Sequence, residues 1–216
     1  VDSTMIRAVV PASTPPSSNT TGYIRIAGPC GSDTSATKFY QVYFEDGTGT
    51  ANDPFLISEW GHLNSVRFVE GQDVYFQLTA NLDSNSTGYD SLASSLGYAG
   101  SGWLPIGDLA NPFNGHFDGN QFTIKDMVID RPTEDHIGLF GVADSMIVEN
   151  LTIHNAQVEG RDSVGTLVGS WDGALMEDSI TNVHITQTNV IGGSGADTKG
   201  NAVGGLAGVI SNVTAQ

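Results

Sequence analysis

Three short glycine-framed strings in the second half of the chain decide its fold. They are Ile137-Gly138-Leu139-Phe140-Gly141, Val164-Gly165-Thr166-Leu167-Val168-Gly169 and Val203-Gly204-Gly205-Leu206-Ala207-Gly208. Each is accompanied by a second recurring string, and the members of both series lie roughly 24 to 39 residues apart, a spacing typical of repeat architectures. The sequence therefore predicts a stack of repeats, and the rest of the chain is interpreted around it.

The second series is anchored on a polar residue. Its members are Asp126-Met127-Val128-Ile129, Asn150-Leu151-Thr152-Ile153, Asn182-Val183-His184-Ile185 and Asn212-Val213-Thr214-Ala215. When these strings are aligned, apolar and polar positions alternate with the period of a β-strand. Parallel strands about 4.8 Å apart would turn each aligned position into a ladder. We therefore predict a polar ladder of Asp126, Asn150, Asn182 and Asn212 at the strand entry, in which side-chain amides bond from rung to rung.

The glycine strings fit the same interpretation. Their leucines would fill the interior, and Gly141, Gly169 and Gly208 would occupy a corner that requires a positive φ or a close approach of two backbones. Parallel strands joined by turns rather than helices define the predicted fold class, which is all-β, a parallel β-helix (β-solenoid).

Three regions are predicted along the chain. Residues 1–44 form an N-terminal arm or linker with short strands, residues 45–112 a cap with the first coils, and residues 113–216 the β-helix repeats. Within the cap, Ser58 is a good N-cap for a helix from Ser58 to Arg67. A short helix at this place would cover the open core of the first coil.

Composition limits the classes of partner. The formal net charge is −16, with 8 basic and 24 acidic residues, and charged residues make up only 15% of the chain. Nucleic-acid binding is not expected, because phosphate recognition needs a basic surface. Membrane insertion is not expected either, since no apolar run approaches the roughly 20 residues needed to cross a bilayer. Cys30 is the sole cysteine, so no internal disulfide forms.

One turn-rich segment has the spacing of calcium ligands. Asp83, Asn85, Thr87 and Asp90 place oxygen-bearing side chains around Gly88, which resembles the front of a Ca²⁺ loop. The bidentate Glu expected at position 12 of such a loop is missing, because Ser94 stands there. The segment is therefore interpreted as a calcium site or as a plain hydrated turn, and no other cofactor is expected.

Catalytic motifs are absent from the sequence. No nucleophile elbow, zinc-protease helix or phosphate-binding loop occurs. Asp130 and His154 would be neighbours if the repeats align as above, and they are the best candidates for a carbohydrate-cleaving pair. Trp103 and Trp171 are the candidate aromatic platforms for a sugar. Because these residues do not form a convincing set, the chain is expected not to be an enzyme.

A family resemblance follows from these motifs. The string Phe113-Asn114-Gly115-His116-Phe117-Asp118-Gly119-Asn120 and the Val-Gly-x-Leu-x-Gly strings resemble bacterial surface proteins with GLUG repeats. The resemblance covers about residues 45–216, and it departs from the usual pattern at Thr166, where glycine is common. It implies a secreted or cell-wall protein, among them adhesin-like chains and regions attached to IgA-cleaving peptidases.

The function expected from the sequence is a non-enzymatic, extracellular structural or adhesive module of a cell-surface protein. Its contacts with a host or surface ligand would lie on exposed faces and on the loops at Trp171–Met176 and Ile191–Ala202. The last asparagine string has no amphipathic cap after it, which predicts either neighbouring repeats of a longer surface protein or head-to-tail self-association into filaments. The alternative is a carbohydrate-active β-helix that binds or cleaves a polysaccharide.

Overall fold

The chain divides into two compact units, Val1–Gln41 and Val42–Gln216. The computed structural model describes residues 43–69, 74–173, 179–193 and 202–211, and before them the backbone of four short strands. Those strands are β1 (Thr21–Gly22), β2 (Arg25–Gly28), β3 (Gly31–Thr34) and β4 (Phe39–Tyr40). Strand β1 pairs antiparallel with β4, and β2 pairs antiparallel with β3.

The second unit is built from short strands with few helices. The strands are β5 (Phe55–Ile57), β6 (Tyr75–Leu78), β7 (His116–Asp118), β8 (Thr123–Lys125), β9 (Val128–Ile137), β10 (Phe140–Asp144), β11 (Ile147–Glu149), β12 (Thr152–His154), β13 (Gln157–Gly165), β14 (Val168–Asp172), β15 (Ser179–Thr181), β16 (His184–Thr186), β17 (Asn189–Gly192), β18 (Val203–Gly204) and β19 (Ala207–Ser211). The helices are α1 (Trp60–Ser65), a 3₁₀ turn (Val66–Phe68), α2 (Tyr89–Leu92) and α3 (Gly97–Gly100).

These strands form four parallel sheets that pair the strands of one repeat with those of the next. Strand β7 is followed in its sheet by β11 and β15, β8 by β12 and β16, and β10 by β14 and β19. Strand β9 is followed by β13, with which both β17 and β18 of the last repeat pair. We call residues 116–144, 147–172 and 179–211 the first, second and third repeats. Strands β6 and β5 extend the first sheet on the side of the first repeat. The predicted all-β class is confirmed, and its sheets are parallel.

The core lies between the sheets and consists of apolar side chains in register. Phe76 stands beside Phe117, and Phe117 beside Val148, with exposed fractions of 1%, 0% and 0%. Ile124 and Ile153 make a second buried column in the next sheet. Since burial of one such side chain stabilises the fold by about 1.5–3 kcal/mol, each column binds one repeat to the next.

The alignment that placed Asp126 in one ladder with Asn150 is wrong. Strand β8 pairs with β12 so that Thr152 stands opposite Thr123, which puts Asp126 beside Asn155. The side-chain amide of Asn155 donates to the Asp126 carboxylate over 2.6 Å. Asp126 therefore belongs to the following corner, and Gln121 occupies the register position of Asn150.

The polar residues at these corners share a left-handed backbone. The corner residues with positive φ are Asn120, Gln121, Asp126, His136, Ser145, Asn150, Asn155, Ser163, Asn182 and Gln187. Asn and Asp tolerate this conformation better than other L-residues, because their short side chains bond locally. Asparagine recurs at a fixed place in the repeats because the chain turns there.

The three predicted corner glycines are in register with one another, and close backbone approach explains them. Gly141, Gly169 and Gly208 are not among the glycines with positive φ. A Cβ on Gly169 would lie 2.4 Å from the carbonyl carbon of His136, and one on Gly208 would lie 2.4 Å from that of Ser163. A side chain at these positions would force the backbones of consecutive repeats apart.

The predicted helix begins two residues later than expected. Helix α1 starts at Trp60, with Glu59 as its N-cap, and Ser58 precedes it. The backbone N–H of Ser58 donates to Nδ1 of His62 over 3.2 Å, so the histidine ring partners the backbone at this end of the helix. Trp60 and Leu63 are fully buried and hold the helix on the core.

The two ends of the second unit differ. At the start, backbone bonds from Glu45 to Leu56 and from Leu56 to Asp46 cover the free edge of β5, and the ring of Phe44 stacks on Phe55 at 4.3 Å. In the third repeat, by contrast, apolar positions are exposed. Leu206 is 37% exposed and Ile210 49%, whereas Leu167 and Trp171, their register counterparts in the second repeat, are 0% and 3% exposed.

Candidate binding surface

The outer face of sheet β8–β12–β16 carries two columns of polar side chains. One column consists of Thr123, Thr152 and His184, and the other of Lys125, His154 and Thr186. The isoleucines between them point into the core, because side chains alternate across a strand. Neighbouring members of a column are therefore held about 4.8 Å apart by the strand spacing.

This face is extended by one further rung. Leu82 forms a parallel bridge with Ile124 and is fully buried, so the residues on either side of it continue the two columns. The result is a groove of about 410 Å³. It is lined by Asn81, Asp83, Thr123, Lys125, Thr152 and His154. All six are polar, so a ligand would be held by hydrogen bonds and charge.

Hydrogen bonds fix several of the lining groups. Asn81 accepts the backbone N–H of Thr123 on Oδ1 over 2.8 Å, which leaves its amide NH₂ as a donor. Nδ1 of His154 lies 2.9 Å from the hydroxyl of Thr186, which leaves Nε2 as the second ring nitrogen. The backbone N–H of Asn85 donates to Asp83 and, with other nearby donors, holds the pKa of that carboxyl below its ordinary value. Asp83 is therefore an anion at neutral pH.

Lys125 is the least engaged cation among the four Lys and Arg side chains that the structure describes. Arg67 donates to the carbonyls of Leu104 and Pro105, and Arg131 and Arg161 bond carboxylates at 3.0 Å and 2.6 Å. The Lys125 ammonium lies 4.0 Å from Asp126, with 46% of its side chain exposed. Its N–H groups are therefore open to a ligand in the groove.

The predicted calcium residues form a turn at the edge of this groove. Oδ1 of Asp83 accepts the backbone N–H of Asn85 at 2.8 Å and the hydroxyl of Ser86 at 3.2 Å. The carbonyl of Thr87 accepts the N–H of Trp60, and Asp90 lies in α2 with its side chain exposed. Within the described ranges, no group of three or more His, Cys, Asp or Glu side chains is arranged to hold a metal ion. The Asp83 carboxylate stabilises this turn, and a calcium site at the four residues stays a prediction.

Part of the predicted polar ladder is a chain of hydrogen bonds along one corner. The amide of Asn182 donates to Oδ1 of Asn150 over 3.0 Å, and the amide of Asn150 donates to Asp118 over 3.1 Å. Asp118 also accepts the amide of Gln77 at 3.0 Å. This network satisfies the corner polar groups and occupies Asp118 structurally. Asn212 lies outside the described residues.

The two candidate catalytic residues do not meet. Asp130 stands in register with Glu159 on β13, whereas His154 stands between Lys125 and Thr186. The expectation that they are neighbours came from the same misalignment that misplaced Asp126. Asp130 therefore lies beside a second carboxylate and not beside the histidine.

Neither predicted aromatic platform is available to a ligand. Trp103 is 0% exposed and donates through its indole N–H to the carbonyl of Leu139, and Trp171 is 3% exposed. The sequence did not reveal this because tryptophan patterns do not distinguish a core position from a surface one. Asp83 and His154 were singled out from the sequence for other roles, but the groove that they share with Thr123, Lys125 and Thr152 was not predicted. Its signal was the repeated triplet Thr-Ile-Lys at 123–125 and Thr-Ile-His at 152–154, in which two polar residues flank a buried one.

No described helix has the length and apolar character needed to cross a membrane. Of the predicted contact loops at Trp171–Met176 and Ile191–Ala202, residues 174–176 and 194–201 lie outside the described residues.

No protein-family model matches the chain. It is 38% identical over 141 residues to a provisionally named Gly-rich membrane protein of Evansella cellulosilytica, a match that covers 63% of this chain and 15% of that protein. It is 33% identical over 165 residues to halomucin of Haloquadratum walsbyi, covering 75% of this chain and 2% of that protein. The chain thus corresponds to a small part of each relative.

One solved structure has a related fold. A provisionally assigned immunoglobulin A1 protease from Bacteroides ovatus superposes with a TM-score of 0.54 and 25% sequence identity. The superposition covers 80% of this chain and 46% of the protease chain. The similarity therefore extends over most of the second unit's length.

Proposed function

We propose that this chain is a non-enzymatic structural module of a cell-surface protein, and that its second unit is a parallel β-helix. The observation that carries the proposal is the register, in which four successive strands of one repeat each pair in parallel with the same strand of the next. Such a stack is a rigid spacer whose length grows by one rung for each repeat. A rigid spacer suits a protein that must project a surface away from a cell.

The names of the relatives support the surface location. One is named as a membrane protein and the other as halomucin, and both are far longer than this chain. A net charge of −16 suits an extracellular surface, because it favours solubility and discourages binding to anionic envelopes. Antibodies raised against the chain should label intact, unpermeabilised cells of its source. Labelling only after permeabilisation would contradict the surface location.

The partner at the third repeat is proposed to be a neighbouring repeat of the same kind. Leu206 and Ile210 continue columns that are buried in the second repeat, and exposed strand edges with apolar side chains call for a covering partner. The opposite end of the unit is covered by its own backbone at Glu45 and Asp46. Head-to-tail filaments would need that cover to open, so end-to-end contacts between the third repeats of two copies are favoured.

Light scattering across a dilution series tests this partner. The wild-type chain should associate through the third repeat as its concentration rises. Ile210→Glu should remove the association, because a charge would then stand in the apolar column. Leu109→Glu is the matched control, since Leu109 is 76% exposed on a loop outside the repeat columns. A monomer at every concentration, or equal loss in both variants, would refute the contact.

The absence of catalysis is also a proposal. It is supported by the separation of Asp130 from His154 and by the structural engagement of Asp118. Incubation with a panel of polysaccharides should release no reducing sugar. Release that disappears in Asp130→Asn or Glu159→Gln would establish the carbohydrate-active alternative instead.

A further inference from the structure

We infer that the groove on sheet β8–β12–β16 binds an acidic sugar unit, with the sugar carboxylate on Lys125 and the sugar hydroxyls on the surrounding side chains. The inference rests on the proposed extracellular role, since it names the class of surface ligand that the module would contact. It does not depend on association through the third repeat.

The first argument comes from the chemistry of the lining. Neutral sugars are usually held by an aromatic ring against their apolar face, and no aromatic side chain lines this groove. The groove offers an ammonium, two threonine hydroxyls, an imidazole nitrogen and an amide, together with the Asp83 carboxylate. Such a set binds a ligand through charge-assisted and neutral hydrogen bonds, and it suits a charged, polyhydroxylated molecule.

The second argument is the availability of the donors. Within the described residues, the Lys125 ammonium has no acceptor closer than the 4.0 Å contact to Asp126. The hydroxyls of Thr123 and Thr152 likewise lack a hydrogen-bond partner among the described side chains, and both residues are half-buried in the groove. These donors would exchange water for a ligand without breaking a bond within the protein.

The third argument concerns geometry. Thr123, Lys125, Thr152 and His154 form a rectangle of about 4.8 by 6.6 Å, because adjacent positions in a column are one strand spacing apart and the two columns are two residues apart along each strand. A pyranose ring with its substituents spans such a rectangle. The carboxylate can then contact Lys125 while ring hydroxyls reach Thr152 and Nε2 of His154.

The fourth argument sets the charge density of the ligand. Asp83 is an anion at one edge of the groove, Asp126 lies beside Lys125, and the whole chain carries a charge of −16. A densely charged polyanion would be repelled by this field. The groove therefore suits a unit with one carboxylate among several hydroxyls, such as a uronic acid within or at the end of a glycan.

Three small probes test the inference on the full chain by NMR titration. Glucuronate carries both features of the ligand, glucose lacks the carboxylate, and acetate lacks the hydroxyls. Glucuronate should shift the amide signals of β8 and β12, and glucose and acetate should each bind at least about tenfold more weakly, because each lacks one of the two kinds of contact. Equal binding of all three, or no signal change with glucuronate, would overturn the inference.

Two substitutions locate the effect. Lys125→Gln should weaken glucuronate binding at least about tenfold. Arg161→Gln changes the net charge equally but lies on β13, and it should leave binding unchanged. Equal loss in both variants would show a general charge effect and refute the site. An unchanged β-rich circular dichroism spectrum shows that the fold is intact in each variant.

Discussion

Acid should destabilise the helix-bearing start of the second unit through His62. This side chain is only 3% exposed and lies at the end of α1 that faces Ser58. Its Nδ1 accepts the backbone N–H of Ser58 over 3.2 Å, so this nitrogen must be unprotonated in the folded state. Burial lowers the pKa of His62 from 6.5 to about 4, although the charge of Glu45 acts in the opposite direction.

The sign and size of the effect follow from this shift in pKa. Between pH 6.5 and about 4 the unfolded chain binds a proton at His62 and the folded chain does not, so stability is lost as the pH falls through that range. At about 1.4 kcal/mol per pKa unit, the gap amounts to roughly 3 kcal/mol. Burial raises the pKa of Glu59, and this carboxyl therefore offsets part of the loss as it takes up its own proton.

Urea unfolding followed by tryptophan fluorescence measures the loss, because Trp60 is buried two residues from His62. The free energy of unfolding should fall more steeply between pH 6.5 and 4.5 in the wild type than in His62→Gln, whose side chain cannot take up a proton in this range. The comparison removes the contribution of the carboxyl groups, which titrate in both proteins. Parallel pH profiles for the two proteins would refute the argument.

Other predictions follow from the contacts between repeats. Gly169→Ala should lower the free energy of unfolding by about 1–3 kcal/mol, because its Cβ would clash with backbone, whereas Gly205→Ala, with nothing within 4 Å, should leave thermal unfolding unchanged. Glu159→Gln should raise the free energy of unfolding by about 0.2–1 kcal/mol at low salt, because it removes the repulsion between Glu159 and the Asp130 carboxylate beside it. Salt screens this repulsion, so an equal gain at high salt would contradict the prediction. Asn182→Gly should be tolerated better than Asn182→Ala by about 1 kcal/mol in chemical denaturation, because glycine keeps the positive φ; equal losses would mean that the lost amide bond dominates.

Repetition of short motifs made the architecture predictable. The strings around Gly141, Gly169 and Gly208 recur, and apolar and polar residues alternate in the strings between them. Few folds other than parallel strands joined by turns fit that pattern. The prediction that Ile153 and Ile185 lie in one column is confirmed, because residues at the same alternating position of two strands in register lie on the same side of the sheet. These features are local, so the sequence carries them directly.

Register was harder to predict. The polar and apolar positions of Asp126-Met127-Val128-Ile129 match those of the string that begins at Asn150. They match those of Asn155-Ala156-Gln157-Val158 equally well. Each repeat has two polar corners of similar sequence, and the choice between them depends on backbone hydrogen bonds to the neighbouring repeat. A residue's own sequence neighbours do not hold that information.

The sequence by itself determined that this protein is an acidic, glycine-rich stack of parallel strands whose corners are marked by asparagine and glycine. Tertiary structure alone decided that Trp103 is buried, that Asp130 and His154 stand apart, and that Thr123, Lys125 and His154 line one groove. The physical reason is that local alternation sets which side of a strand a residue occupies. The pairing of one repeat with the next determines which residues of other strands lie beside it, and a binding site consists of such neighbouring residues.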